Sequence, residues 1–394
     1  MVWNRERPGS LGAPLAMVVS ILVLLVACTP ALPAGADPNR LRELVLGRPD
    51  SSAVTPVTAA PRTEIVASQL ELPWDLAFAP DGRLFFTERP GRLRVMVNSA
   101  VQPEPVATLP VAAEGEGGLL GLALDPDFAS NGYLYLMYTY WDDTGSLRNR
   151  VSRLSVRGNR AGDETTILDG IPGGSIHNGG RLRFGPDRQL YITTGETAVT
   201  QLSQDLSSLG GKILRINRDG SIPEDNPFPG SPVYSYGHRN VQGLAWHPLT
   251  GRLFASEHGP AGHDELNVIE PGRNYGWPRV AGRGGESDLV DPILDVSPSI
   301  APSGIAFYQG NSSAWSGNLF MATLRGQHLR RIVLGGPDLT QVAHEEKLFE
   351  NQFGRLRCVL LGPDGNLYLT TSNRDGRGST GPDDDMIIRV IPPQ

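Results

Sequence analysis

The chain has 394 residues, 39% hydrophobic and 20% charged, a globular composition that excludes wholesale disorder and a multi-span membrane protein. Its 47 Gly and 33 Pro predict many turns and few long helices. A net charge of −7 provides no general polycationic surface for nucleic acid.

The N-terminus reads as an export signal. Arg5 and Arg7 give a basic start, and an apolar core follows from Leu15 to Ala27, too short for the roughly 20 residues of a spanning helix. It ends in Leu25-Val26-Ala27-Cys28, which resembles a bacterial lipoprotein cleavage box with Cys28 as the lipidated first residue. The expectation is a signal over 1–27 and an exported protein whose only membrane contact is a lipid anchor on Cys28, at the cell surface or periplasmic face. Residues 28–61, rich in Pro, Ala, Ser and Thr, are expected to be a flexible tether. Cys358 would then be the only free thiol, with no disulfide framework. Its run Arg357-Cys358-Val359-Leu360-Leu361 suggests an inert core residue.

From residue 62 onward one phrase recurs: an apolar run, a Pro-Asp-Gly type turn, then a β run. The copies are Leu76–Thr87, Leu122–Leu136, Leu182–Thr193, Leu244–Ala255, Ile305–Met321 and Val359–Thr370. Pro80, Pro126, Pro186, Pro248 and Pro363 mark the turns, and the fifth copy has no proline there. Pro pre-sets φ, Asp caps the turn and Gly supplies positive φ, so each copy predicts a hairpin. Further strand signals follow at Gly91–Met96, Asn149–Ser155 and Gly211–Ile216. Two hairpins per unit make a four-stranded blade, and six units predict an all-β, six-bladed β-propeller over 62–394. The strand near Ile65–Leu70 is expected to close the ring beside Met386–Val390.

Propeller loops converge on one face, so polar residues just outside core strands are site candidates. His177, in Ile176-His-Asn-Gly-Gly-Arg-Leu182, suits a proton acceptor near neutral pH. Glu196 ends the same hairpin and could orient its imidazole. Arg239 and Asn240 crowd with His238 and Gln242 ahead of another core strand, an arrangement that needs satisfied partners. The stretch Ser256–Glu265, followed by Asn274–Pro278, holds His258 and His263 but is dominated by oxygen donors, which favours calcium over zinc. Arg355 and Arg357 alternate with Leu356 and therefore share a side of the last core strand. Two adjacent guanidiniums repel unless an anion lies between them. With Arg325 at the matching place in the preceding unit, they predict a multiply anionic ligand. No P-loop, Rossmann fingerprint or Gly-x-Ser-x-Gly elbow occurs.

The stretches Gly115–Gly121, His177–Leu182, Gly237–Asn240, Glu257–Pro260, Asn274–Pro278, Ser299–Gly304 and Gly354–Arg357 resemble the glucose/sorbosone dehydrogenase family, the soluble quinoprotein sugar dehydrogenases. The nearest likeness is to the aldose sugar dehydrogenase branch. It spans about residues 64–392, with the motifs in order. The resemblance implies pyrroloquinoline quinone (PQQ) and calcium on the top face of a propeller. It implies an aldose substrate oxidised to a lactone, and an external electron acceptor such as a quinone or a small redox protein. His177 matches the base. Arg239 matches the residue that stabilises the reduced quinone oxygen, with Asn240 beside it. Arg355 and Arg357 match cofactor-carboxylate ligands. Gly259 and Pro260 match calcium-binding carbonyls at the cofactor, and Glu265 and Tyr275 match a calcium site of the aldose branch.

Departures stand at three cofactor-region positions. Glu116 replaces a Gln and adds negative charge, Arg325 replaces a common Lys, and Glu196 replaces an Asp, lengthening the reach to His177. The segment from Arg279 to Val296 is also without the aromatic that would stack on the cofactor. The alternatives are a calcium-dependent, lactonase-like propeller hydrolase and a non-catalytic binding propeller.

Overall fold

A computed structural model describes residues 60–393. The expected leader and nearly all of the tether, including Cys28, lie outside the described residues.

Each repeat becomes one antiparallel sheet, or blade. Blade 1 comprises Pro73–Phe78, Leu84–Glu88, Arg92–Val97 and Ala100–Val101, with Ala107–Thr108 also paired to its third strand. Blade 2 is Leu119–Leu124, Tyr133–Trp141, Leu147–Arg157 and Arg160–Pro172, and blade 3 is Leu182–Phe184, Leu190–Thr193, Lys212–Ile216 and Val233–Tyr236. Blade 4 is Val241–Trp246, Leu253–Glu257, Asp264–Ile269 and Leu294–Val296, and blade 5 is Pro302–Phe307, Leu319–Thr323, Leu329–Gly335 and Gln341–Leu348. Blade 6 takes Leu356–Leu361, Leu367–Thr371 and Ile387–Ile391 from the C-terminal end and Arg62–Ala67 from the N-terminal end. The register pairs Glu64 with Arg389 and Ile65 with Ile388, so the first strand closes the ring as expected.

The turn chemistry accounts for the hairpins. In the first copy Gly82 N–H donates to the Ala79 carbonyl at 2.9 Å, and Asp81 accepts the Arg83 amide at 3.2 Å. In the third copy Arg188 stands where glycine is usual and takes φ 64°, in the left-handed region.

Six clusters of buried apolar side chains fill the gaps between adjacent blades. Phe85, Leu119 and Leu136 join blade 1 to blade 2, while Leu76, Phe86 and Ile387 join blade 6 to blade 1. Each fully buried side chain of this size contributes about 1.5–3 kcal/mol. Phe85 is 0% exposed, and Phe85→Ala would cost about 3–5 kcal/mol.

Because every blade runs in the same sense, two loops of each blade emerge on one face. One precedes the innermost strand, and the other joins the second strand to the third. The candidate chemistry sits in these loops.

Candidate active site

Among the hollows formed by the described residues, two stand at opposite ends of the blades. The larger, about 570 Å³, lies beyond the exit end of the blade-2 inner strand, near Asp125 and Tyr133. Of its three arginines, Arg188 and Arg218 are already paired with Asp127, at 2.5 and 2.8 Å, and Arg153 lies over the Tyr133 ring at 4.2 Å. The other, about 480 Å³, is enclosed by loops from all six blades, on the face where the inner strands begin. It is lined by six arginines, Arg89, Arg239, Arg325, Arg355, Arg357 and Arg377, against two carboxylates, Glu116 and Asp375. This strong positive excess marks the smaller hollow as the site.

His177 lines this cavity, and its Nδ1 lies 2.6 Å from Glu196 Oε1. Glu196 is 1% exposed and therefore has no route to bulk water. An ionised carboxylate only accepts, so the contact assigns the imidazole proton to Nδ1 and leaves Nε2 with a free lone pair. His177 holds φ 55°, a strained conformation for a non-glycine residue. It is accommodated because Gly195 lies against it: a Cβ there would come 1.8 Å from the His177 carbonyl oxygen. Glu196 thus spans to His177 despite its longer side chain.

The negative charge that Glu116 adds is compensated within the chain. Its Oε1 pairs with Arg377 Nη1 at 2.5 Å, and its Oε2 accepts the His177 amide at 3.1 Å. The added carboxylate fixes the His177 backbone and is neutralised from blade 6.

The arginine pair differs from expectation in a related way. An anion does lie between the guanidiniums, but the chain supplies it. Asp375 Oδ2 is 2.8 Å from Arg355 and 3.7 Å from Arg357. Arg357 also donates to Gln242 Oε1 at 2.9 Å, while its Nε has no partner. Burial weakens the hold of Arg357 on its proton, and Asp375 offsets this only in part, as for a cation short of counter-charge. Behind this wall Arg181 stacks on Trp74 at 4.3 Å, pairs with Asp75 at 2.5 Å and donates to the Gln242 carbonyl at 2.9 Å. Burial alone would raise the Asp75 carboxyl, but Arg181 and Arg183 outweigh it and hold the group below the usual range.

Cys358 belongs to this polar layer as well as to the core. Its Sγ is 3.4 Å from Asp75 Oδ1, and burial pushes the thiol up to about 11, so it stays protonated and inert.

Arg239 donates to the carbonyls of Gly259 at 2.7 Å and His258 at 3.2 Å. Gly259, Pro260 and Arg325 line the cavity. Arg325 is exposed and forms no ion pair among the described residues. Three candidates stand back from the cavity. Asn240 is 0% exposed and accepts the Gly179 amide at 3.0 Å, its Nδ2 unpartnered. Glu265 faces a smaller recess behind Gly259 and Pro260 with Trp277 and His263. The Tyr275 hydroxyl turns away, donating to the Val268 carbonyl at 2.7 Å and accepting the Glu270 amide at 2.8 Å, which leaves only its backbone for a metal.

Sequence reasoning missed Arg89, Arg377, Asp375 and the cavity-facing role of His258. Burial drives His258 down to about 4, so it is neutral at pH 7, and its Nε2 has no partner. No group of three or more His, Cys, Asp or Glu able to hold a metal occurs among the described residues.

A profile of the Glucose / Sorbosone dehydrogenase family matches residues 70–388. The chain belongs to the glucose/sorbosone dehydrogenase family. A curated relative of this family member is the aldose sugar dehydrogenase of Escherichia coli (strain K12), 34% identical over 83% of this chain and 94% of that protein. Another is the quinoprotein glucose dehydrogenase B of Acinetobacter calcoaceticus, 29% identical over 83% of this chain and 88% of that protein. Among solved structures, the PQQ-bound aldose sugar dehydrogenase of Streptomyces coelicolor aligns with TM-score 0.76 at 45% identity, covering 84% of this chain and 98% of that one.

Proposed function

We propose that this member of the glucose/sorbosone dehydrogenase family oxidises aldose sugars at the anomeric carbon to lactones, using PQQ with calcium and an external electron acceptor. One observation carries the reading: a cavity with six arginines and two carboxylates adjoins a histidine whose tautomer is fixed by a buried glutamate. The residues fit the cofactor. PQQ is a tricarboxylate, and the lining has four more positive than negative side chains by these counts. Polar atoms without partners remain on Arg89, Arg357, Asn240 and His258 in and around this wall. The Streptomyces relative, whose structure holds PQQ, supports the same assignment.

Bound PQQ would supply a two-electron acceptor for the hydride of the anomeric carbon. The chain supplies the rest. His177 Nε2 takes the proton of the anomeric hydroxyl, and Glu196 stabilises the imidazolium that results. Arg239, beside the Gly259 carbonyl, is the cation available to a developing oxyanion. Arg355 and Arg357 hold carboxylate, with Asp375 preventing their mutual repulsion when the cavity carries no anion. Calcium is assigned to the carbonyl oxygens of Gly259 and Pro260, and a further calcium to Glu265 with the Tyr275 backbone. Oxygen donors support a hard cation. The Gly259 carbonyl that would help to hold calcium also accepts from Arg239 at 2.7 Å.

The export signal and Cys28 lipid anchor complete the reading, placing the enzyme outside the cytoplasm with a quinone or small redox protein as electron acceptor. The test is reconstitution with calcium and PQQ followed by dye reduction with several aldoses. Dye reduction is expected. Its absence, with lactone hydrolysis that needs calcium alone, would replace the reading with a hydrolase.

A further inference from the structure

Arg89 follows the second strand of blade 1 and lines the cavity, yet among the described residues its side chain forms no hydrogen bond or ion pair that explains it. It is only 9% exposed, and its Nε has no hydrogen-bond partner. Of the carboxylates whose charge acts on it, Asp375 is paired with Arg355 at 2.8 Å and Glu116 with Arg377 at 2.5 Å, while Asp385 accepts from Thr371 at 3.0 Å; none of them forms an ion pair or hydrogen bond with Arg89. A guanidinium withdrawn from water without its own counter-ion is unfavourable, and such groups are rare unless they serve a ligand.

The backbone nevertheless fixes it there. Arg89 N–H donates to the Leu72 carbonyl at 3.1 Å, and its carbonyl accepts the Leu119 amide at 2.8 Å. Gly118 makes room for it, since a Cβ there would fall 2.2 Å from the Arg89 carbonyl oxygen and 2.9 Å from its Cγ. The side chain is thus rooted on two neighbouring blades.

We infer that Arg89 is a carboxylate-binding residue of the central cavity, taking one cofactor carboxylate independently of the Arg355–Arg357 pair. This rests on the reading of the cavity as a PQQ site, although the chemistry recognised is that of any compact polycarboxylate. Arg355 and Arg357 share a resident anion; Arg89 has none to displace, so a carboxylate gains its full charge-assisted contact there.

The experiment titrates full-length wild-type, Arg89→Leu and Arg89→Lys proteins calorimetrically with PQQ in calcium buffer and, separately, with citrate. Thermal unfolding of each ligand-free protein is followed in parallel. Arg89→Leu should weaken PQQ roughly 10- to 100-fold, the effect of losing a hydrogen-bonded charged contact. Arg89→Lys should fall between, because it keeps the charge and loses the fork. The ligand-free Leu variant should melt no lower than wild type, since a buried unpaired cation has been removed. Unchanged affinity for both ligands overturns the inference and leaves the cofactor reading standing, as does a lower melting point with affinity retained, which would make Arg89 structural. Citrate binding that depends on Arg89, with no PQQ uptake by wild type, keeps the inference and overturns the cofactor reading. Failure of wild type to bind either ligand overturns both.

Discussion

Glu196 Oε1 lies 2.6 Å from His177 Nδ1, a single contact that fixes which imidazole nitrogen faces the cavity. The carboxylate is buried, and its second oxygen has no partner, so among the described residues nothing competes with His177 for it. Glu196→Gln keeps the shape but can offer an N–H to Nδ1, favouring the tautomer with its proton on Nε2. Turnover should fall roughly 10²- to 10⁴-fold, the usual contribution of general-base catalysis, with cofactor affinity unchanged. Steady-state kinetics on reconstituted protein decides it: wild-type kcat in the variant would remove Glu196 from the mechanism.

Asp375 is the resident counter-ion of the Arg355–Arg357 pair, 3% exposed at its side chain. Asp375→Asn leaves two guanidiniums in close repulsion in the cofactor-free protein. Breaking a buried ion pair this way costs about 3–5 kcal/mol. Denaturant unfolding should show this loss without cofactor and a large recovery with saturating PQQ. Equal stability of variant and wild type without cofactor would contradict the counter-ion role.

Glu265 faces Glu257 across adjacent strands of blade 4. Burial first, and then Glu257, raise its carboxyl to about 8. A raised folded-state value means that the folded protein binds the extra proton. The stability from this group is therefore present below the unfolded value near 4.5 and is lost as pH rises toward 8. In chelator, wild type should lose stability across that window and Glu265→Gln should not. Calcium favours the ionised carboxylate, so added calcium should stabilise wild type more at pH 8 than at pH 5. A pH-independent calcium effect would argue against Glu265 as a ligand.

Lys212 is 0% exposed, and its ammonium donates to the carbonyls of Leu202, Ser203 and Gly210 at 2.6, 3.1 and 2.7 Å. Ser203 in turn accepts the Gly237 amide at 2.9 Å, and its hydroxyl donates to the His238 carbonyl at 2.6 Å, next to Arg239. Lys212→Met strands two buried acceptors, the carbonyls of Leu202 and Gly210, while the Ser203 carbonyl keeps the Gly237 amide. It should destabilise the fold by about 2–4 kcal/mol and loosen the Arg239 loop. Chemical denaturation and amide exchange at Gly237 and His238 check both effects; native-like protection in the variant would show that the loop does not depend on Lys212.

Much of the architecture was legible because propeller blades repeat a local code. Pro80-Asp81-Gly82 and its counterparts announce hairpins from neighbouring residues alone, and the early β strand could be matched to the last one once six units were counted. His177, Arg239, Arg355 and Arg357 stood out because they precede or begin core strands. What stayed hidden depends on partners distant in the chain. Arg89 is one of many arginines, and only its burial with no ion pair among the described residues distinguishes it. Asp375 and Arg377 sit in a Gly-rich connection with no periodicity, and their alignment with Arg355 and Glu116 is set by how blade 6 closes on blades 1 and 2. For the same reason Glu116 read as a liability: its neutralising partner lies across the cavity mouth. Gly118 and Gly195 are ordinary turn glycines in sequence, and only the approach of the Arg89 and His177 backbones shows why no Cβ fits.

The central claim is that the arginine-rich cavity holds PQQ within reach of His177. Its most direct test is the absorbance spectrum of calcium- and PQQ-loaded protein before and after adding an aldose, for wild type and His177→Ala. The account predicts a bound-cofactor spectrum in both proteins, with conversion to the reduced form on sugar addition in wild type alone. A wild-type protein that leaves the PQQ spectrum as it is in free solution, or one that binds PQQ and shows no reduction by any aldose, would contradict it.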